Sequence, residues 1–443
     1  MRFSKYNLVV EMDWGLLIYN TRQANFIQIH NEEELNRFRI LSANSRFDVN
    51  DDMVKTLYQK GFIVDDNFDE YEEAKKHIQN CYTFSSKVLH IMLYVTENCN
   101  FRCVYCFEQH KNKRFSAENW NALYKYIEKS LKEGKYEYVK IAFFGGEPLL
   151  EFDKIIEFLD KLENLKEKYQ NVIFQHDMIT NGYLLVPKVY NRLISRNVFD
   201  YMITLDGFAE THNITRPLVG GGETWDKIVE NFKYINNQKD LSKVTVRINL
   251  NKDNLKTVNA FISWFYKNFD MEKFKIFPKK VLKLSKNVSE SHIITEKEVD
   301  EVELITTEIA KTFTSNDFAP LMNLGMTCHC SEKNFYAIST DGKISRCEEA
   351  YGDDFCSVGE LTCNGDFLFN SNMEKWESNC ETEYCKDCIA YPLCAGRKCP
   401  KQKFYTGENR GDCSYKQQNP PSDKEMRQKI TKYLIDRFYE LRK

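Results

Sequence analysis

Between residues 86 and 280, six strand-like apolar runs alternate with helical patterns. The runs lie at 89–96, 138–144, 172–180, 201–206, 244–250 and 274–278. After the first, Trp120, Leu123, Tyr124, Ile127 and Leu131 recur at helical spacing behind Ser116, a good N-cap, and Gly134 closes the pattern. Segments 155–162, 189–194, 228–235 and 258–265 repeat the theme. Strands and helices in strict alternation predict an α/β fold with a parallel sheet. Six strands suit an open or partial barrel, since a closed one takes eight. Chemistry in such folds collects at the carboxyl ends of the strands.

The cysteines are the second constraint. Of fifteen in 443 residues, three lie within 99–106, eleven within 328–413, and Cys81 stands alone. Small core residues scattered by chance would not cluster this way. In a reducing compartment such clusters point to metal binding or catalysis rather than disulfides.

The flanking regions read differently. Residues 1–85 give short strands at 8–10, 15–19, 25–29 and 61–64, with helices at 32–40 and 51–60. That is a small α+β module of winged-helix type, followed by an acidic stretch that starts a connecting helix. Residues 286–325 form a connecting segment with one helical pattern at 299–313. Beyond Met326 the patterning weakens as cysteine density rises, the mark of a domain held by metal. Residues 326–443 form this domain, which ends in a helix from 424 onward with Ile430, Tyr433, Leu434, Phe438 and Leu441 on one stripe. Sixty-two basic against 65 acidic residues leave a net charge of −3, without the basic footprint of a nucleic-acid binder. No run reaches the roughly 18 apolar residues of a membrane span, and no signal peptide opens the chain. A cytoplasmic protein is expected.

Cys99, Cys103 and Cys106 stand at C-x3-C-x2-C spacing directly after the first strand. Three thiolates on one loop can hold three irons of a [4Fe–4S] cube and leave the fourth open. The alternative is a structural zinc knuckle, which needs a fourth ligand that no well-spaced histidine supplies. His110, the nearest, reads as a surface residue.

This loop resembles that of the radical S-adenosylmethionine (radical SAM) enzymes, and other residues fall in place around it. Gly145-Gly146-Glu147-Pro148 closes the second strand, where that family holds the methionine amino group. Thr180-Asn181-Gly182 closes the third, and Leu205-Asp206-Gly207 with His212 and Arg216 follows the fourth. Arg247 and Asn249 lie on the fifth, where relatives contact the methionine carboxylate and ribose. Tyr105, beside Cys106, completes the expected cofactor-binding set. A barrel ion pair is an equal reading for Arg247. The resemblance implies that a reduced cluster cleaves S-adenosyl-L-methionine to a 5′-deoxyadenosyl radical, which takes hydrogen from an unactivated carbon.

The carboxy-terminal cysteines resemble the SPASM extension of peptide-modifying radical enzymes, apart from one extra residue between Cys394 and Cys399. The resemblance implies two auxiliary [4Fe–4S] clusters, three in all. One would use Cys330, Cys347 and Cys399 with Cys328 as fourth ligand. The other would use Cys385, Cys388, Cys394 and Cys413. Paired zinc sites are the alternative. Cys81, Cys356, Cys363 and Cys380 are left as ordinary thiols. Glu348 occupies the place of a general base in sulfatase-maturing relatives, with a solvated glutamate as the alternative.

In this light the fold is a partial (β/α)6 radical SAM barrel spanning 86–285, between a winged-helix-like module and an iron–sulfur SPASM domain. Residues 1–85 become a recognition element that pairs a precursor's leader as an added strand, through 26–29 and the helix around Leu57. The expected activity is an intramolecular crosslink in a ribosomally made precursor peptide, with a cysteine thioether favoured, as in sactipeptide and ranthipeptide maturases. A carbon–carbon link comes next, then an anaerobic sulfatase maturase making formylglycine. A non-enzymatic iron–sulfur electron carrier is the remaining alternative. The expected partners are the precursor and a low-potential flavodoxin or ferredoxin.

Overall fold

The computed structural model describes residues 1–80 apart from 24, 45 and 46, then 86–106, 108–281, 329, 332–348, 356–377, 383–394 and 431. The expected helix at 299–313 lies outside this set, as does that at 424–443 apart from residue 431, together with Cys328, Cys330, Cys399, Cys413 and the side chain of Cys394. The chain divides into two compact units.

The first unit contains residues 1–80 and 383–394. Strand β1 (Arg2–Phe3) was not anticipated from the sequence. It is followed by β2 (Asn7–Met12), β3 (Gly15–Asn20) and β4 (Asn25–Ile29), then α1 (Glu32–Asn44), α2 (Asp52–Gln59), β5 (Ile63–Val64) and α3 (Glu70–Asn80). Strands β2, β3 and β4 form an antiparallel sheet with β4 at one edge, and β1 pairs with β5. Asp51 caps α2 by accepting from the amides of Met53 and Val54, which satisfies two of its orphan donors. Leu57 of α2 is buried with Val54, Ile18 and Phe62, so its own side chain belongs to the core of the module. The exposed side of α2 carries Tyr58, 43% exposed.

The second unit contains residues 86–281 and 332–376. Its ten-stranded sheet runs β11-β10-β9-β8-β7-β6-β12-β13-β14-β15 and is open at both ends among the described residues. The six predicted strands are β6 (Val88–Thr96), β7 (Tyr138–Gly145), β8 (Ile173–Thr180), β9 (Val198–Thr204), β10 (Lys243–Leu250) and β11 (Phe274–Lys280). They are parallel and stand side by side in chain order, each joined to the next through helices. All nine residues of β6 are buried, as a central parallel strand demands. The inner face is more polar than the sequence runs suggest. Lys140 Nζ lies 2.7 Å from Asp177 Oδ2, and the Gln175 amide donates to Asp177 and Asp200 at 3.0 Å.

The first crossover helix, α4 (Ala117–Lys132), is capped by Ser116 as predicted. Its buried stripe includes Ala122 and Tyr126 instead of Tyr124, because Tyr126 stacks on Phe367 at 3.7 Å. Phe367 belongs to a region where regular patterning was expected to fail. Four short strands occur there: β12 (Phe335–Ile338), β13 (Lys343–Ser345), β14 (Ser357–Leu361) and β15 (Phe367–Phe369). Strand β12 joins the parallel sheet beside β6, and the other three follow antiparallel. No described helix is long and apolar enough to cross a membrane.

Candidate active site

The loop that carries Cys99, Cys103 and Cys106 leaves β6 at Thr96 and is stitched down on both sides. Toward β7, the amide of Gly146 donates to Thr96 O and that of Glu147 to Asn98 O, both at 2.9 Å. These contacts require the two glycines. A Cβ on Gly145, at φ +129°, would stand 2.2 Å from Thr96 O, and one on Gly146 would stand 2.4 Å from Asn98 O. On the other side the loop runs along 215–219, with Arg102 N donating to Pro217 O, Val104 N to Thr215 O and Val219 N to Asn100 O.

That pairing brings in Arg216, which the sequence placed in a motif but not in the site. Arg216 is buried and donates to the Tyr105 hydroxyl at 3.0 Å. The Tyr105 phenol in turn donates to Asp206 Oδ2, and Asn249 Nδ2 donates to Tyr105 at 3.2 Å. Asp206 Oδ1 accepts from the amide of Asn249 at 2.8 Å, while Arg247 Nε donates to Asn249 Oδ1 at 2.8 Å. His212 is also buried, and its Nδ1 accepts from the amide of Asp206 at 3.1 Å. Asn254, unnoticed in the sequence, donates to the carbonyls of Asp206 and Asn249. One lattice therefore ties the cysteine loop to the carboxyl ends of β9 and β10. Arg247 belongs to it through Asn249.

Glu147 is fully buried, and three donors converge on it: Leu149 N at 2.9 Å, Thr180 Oγ1 at 2.7 Å and Asn181 N at 2.8 Å. It also caps the turn that begins at Pro148. Asn181 reaches back to Asn100 Oδ1 at 2.8 Å, and its amide lies 3.9 Å from Cys99 Sγ. Gly145, Gly146, Glu147, Pro148, Thr180 and Asn181 thus stand together against the first cysteine.

The electrostatics favour a bound cation. Burial raises the thiols of Cys99 and Cys103, and it pushes Cys106 up to about 12. Burial also raises the Asp206 carboxyl, against the pull of Arg216. Burial would lower the Arg216 guanidinium, but Cys103, Tyr105 and Asp206 outweigh it and raise it. One buried and two half-buried thiols within electrostatic reach of one another are costly as bare thiolates, and a metal group inverts that cost. The donor set fits a cluster. His110, expected on the surface, is half-buried with φ 50°.

The later cysteines are divided. Cys347 is buried after β13, and Cys385 and Cys388 lie half-buried in the first unit. Glu348 is half-buried rather than solvated, and its carbonyl accepts from the Tyr94 hydroxyl at 2.6 Å, two residues before Thr96.

Residues 93–265 match the radical SAM superfamily. The radical SAM cyclopropyl synthase TigE of Paramaledivibacter caminithermalis is 26% identical over 304 residues, which cover 62% of each chain. A cysteine-type anaerobic sulfatase-maturating enzyme of Clostridium novyi is 24% identical over 352 residues, 71% of this chain and 89% of that one. Among solved structures, anSMEcpe with bound AdoMet and Kp18Cys peptide superposes with TM-score 0.56 at 19% identity, over 80% of this chain and 98% of that chain. Streptococcus suis SuiB bound to S-adenosylmethionine gives 0.52 at 14% identity, over 96% and 99%. At these identities the structures establish a common fold.

Proposed function

On the premise that residues 93–265 of this chain are a radical SAM domain, we propose that the protein is a peptide maturase. It uses S-adenosyl-L-methionine to form an intramolecular crosslink, by preference a cysteine thioether, in a ribosomally made precursor. The observation that carries this reading is the convergence at the strand ends. The loop of Cys99, Cys103 and Cys106, the Glu147 turn and the Tyr105–Asp206–Asn249 lattice all meet at the carboxyl side of β6 to β10.

In this role Cys99, Cys103 and Cys106 hold a [4Fe–4S] cluster. Bound together, cluster and S-adenosyl-L-methionine supply a one-electron cleavage that yields a carbon radical. The chain's own residues do the positioning. The Glu147 carboxylate is occupied by three donors, so it fixes the backbone around Gly146 that would meet the methionine amino group. Asn249 and Arg247 present polar groups at the end of β10 for the carboxylate and ribose, with Asn249 held in place by Tyr105 and Asp206. Arg216 balances the charge of Cys103 and Asp206 where water is excluded.

Two auxiliary clusters in 326–443, with Cys347, Cys385 and Cys388 among their ligands, are part of this reading. So are the general base Glu348, a flavodoxin or ferredoxin reductant, and leader recognition by the first 85 residues. The edge position of β4 supports strand addition of the leader, with Phe26 and Ile27 on that strand.

The similarity to a cyclopropyl synthase favours a second reading in which the new bond joins two carbons. One experiment separates the two. The precursor is treated with enzyme, its free thiols are alkylated, and its mass is taken. A loss of two hydrogens with one core cysteine protected supports the thioether. The same loss with every cysteine labelled supports the carbon–carbon bond. An oxidised side chain without a crosslink would move the assignment to sulfatase-type maturation.

A further inference from the structure

The phenol oxygen of Tyr6 is buried and makes no hydrogen bond among the described residues. A buried hydroxyl left unpartnered costs roughly 1–3 kcal/mol, and phenylalanine would fill the same space without that cost. Tyr6 is 0% exposed, in a cluster with Leu8, Leu17, Ile389 and Ala390, and Cys388 packs against this cluster. Cys385 and Cys388 pack in turn against Tyr71 and Tyr391. The segment bearing the two thiols is fastened to the amino-terminal strands. Thr21 Oγ1 donates to Ile389 O at 2.7 Å and Lys5 Nζ to Lys386 O at 2.5 Å.

The surroundings of the Tyr6 hydroxyl narrow its role. The ionisable groups within electrostatic reach of it are Glu70, Cys388, Tyr71 and Arg22. Glu70 is already engaged by Ser4, by Arg2 at 2.6 Å and by the amide of Lys5 at 3.0 Å. Arg22 has no lone pair to offer. Tyr71 and Cys388 remain, and of these only the cysteine gains accepting power on binding a metal: a thiol is a weak acceptor, whereas metal-bound sulfur is a stronger one. The Lys5 ammonium sits 5.5 Å from the centre of the Tyr6 ring, where a cation makes the phenol a better donor.

We infer that Tyr6 donates its hydroxyl hydrogen to sulfur at Cys388 when Cys385 and Cys388 hold an iron–sulfur group, and that this bond raises the group's reduction potential. The inference rests on the reading of both cysteines as ligands. Hydrogen bonds to sulfur favour the more negative, reduced state, so the donor sets the potential without touching substrate. The amino-terminal module thereby gains a second role besides recognition, as the outer wall of an electron-transfer centre.

The test uses the full chain with Cys99, Cys103 and Cys106 changed to alanine, so that only auxiliary iron remains after reconstitution. Iron is counted and the clusters are titrated electrochemically with EPR detection, with and without Tyr6→Phe. The signal that disappears in Cys388→Ala identifies the centre. With Tyr6→Phe, iron content should hold. That signal's reduced-to-oxidised ratio at fixed potential should fall about tenfold, about 59 mV for one electron. The second auxiliary signal should stay put. In the metal-free chain the same substitution should leave the melting temperature unchanged or raised. No shift, or a fall in iron in its place, overturns the role of Tyr6. Iron that is unchanged in the Cys385→Ala, Cys388→Ala double variant would instead overturn the ligand reading.

Discussion

The Tyr105 phenol donates to the carboxylate of Asp206, 101 residues further along the chain, and so binds the cysteine loop to the end of β9. Arg216 and Asn249 both donate to the same phenol oxygen. Tyr105→Phe removes all three contacts while keeping the ring. The buried Asp206 loses a donor, so the metal-free chain should lose about 1–3 kcal/mol in urea unfolding. Asn249 loses its anchor, and S-adenosyl-L-methionine affinity should drop severalfold by calorimetry. Unchanged affinity would mean that the phenol serves only to pack Asp206.

Gly146 allows the second strand's turn to lie against the cysteine loop. A methyl group there would stand 2.4 Å from Asn98 O, next to Cys99. Gly146→Ala should therefore displace the loop and impair loading of its cluster. Reconstituted variant should hold about four irons fewer per chain than wild type, with auxiliary signals intact. Full iron in the variant would place the strain elsewhere.

Glu147 is a clasp between the second and third strands. Glu147→Ala strands the amides of Leu149 and Asn181 and the hydroxyl of Thr180 in a buried place. The expected cost is about 3–5 kcal/mol, with Glu147→Gln intermediate because one oxygen still accepts. Denaturant midpoints of the metal-free proteins give both values. Equal midpoints for the two variants would mean that the carboxylate charge outweighs the hydrogen bonds.

His176 on β8 brings a pH dependence unrelated to catalysis. Burial lowers its imidazole to about 3, while the unfolded chain titrates near 6.5. Its unfolded form binds the proton first, so stability is full above pH 6.5 and declines as pH falls toward 3. The slope is about 1.4 kcal/mol per unit. His176→Leu should abolish this component, leaving wild type about 2 kcal/mol more acid-sensitive between pH 7 and 5. Parallel pH profiles would show that His176 charges in the folded state.

Much of this architecture was legible because it rests on periodicity. The strands from β6 to β11 and the Ser116 cap follow from apolar spacing and local capping. The cysteine loop and the Gly145–Pro148 turn were visible because their residues are adjacent in sequence. Asn254 was not singled out and Arg216 was seen only as part of a motif, since their importance comes from pairings across 40 residues or more. The strands at 335–369 were missed for another reason. They are three to five residues long, too short for a periodic signal, and the sheet edge beside β6 is what orders them. That Leu57 itself turns into the module's core was not legible, because an amphipathic helix does not reveal which neighbour its apolar side meets.

The most direct measurement is production of 5′-deoxyadenosine by anaerobically reconstituted protein under dithionite, followed by chromatography. The account predicts cleavage of S-adenosyl-L-methionine by the wild type and none by Cys103→Ala, because two remaining thiolates leave the cluster short of a ligand. Undiminished production by Cys103→Ala, or none by iron-replete wild type, would contradict it.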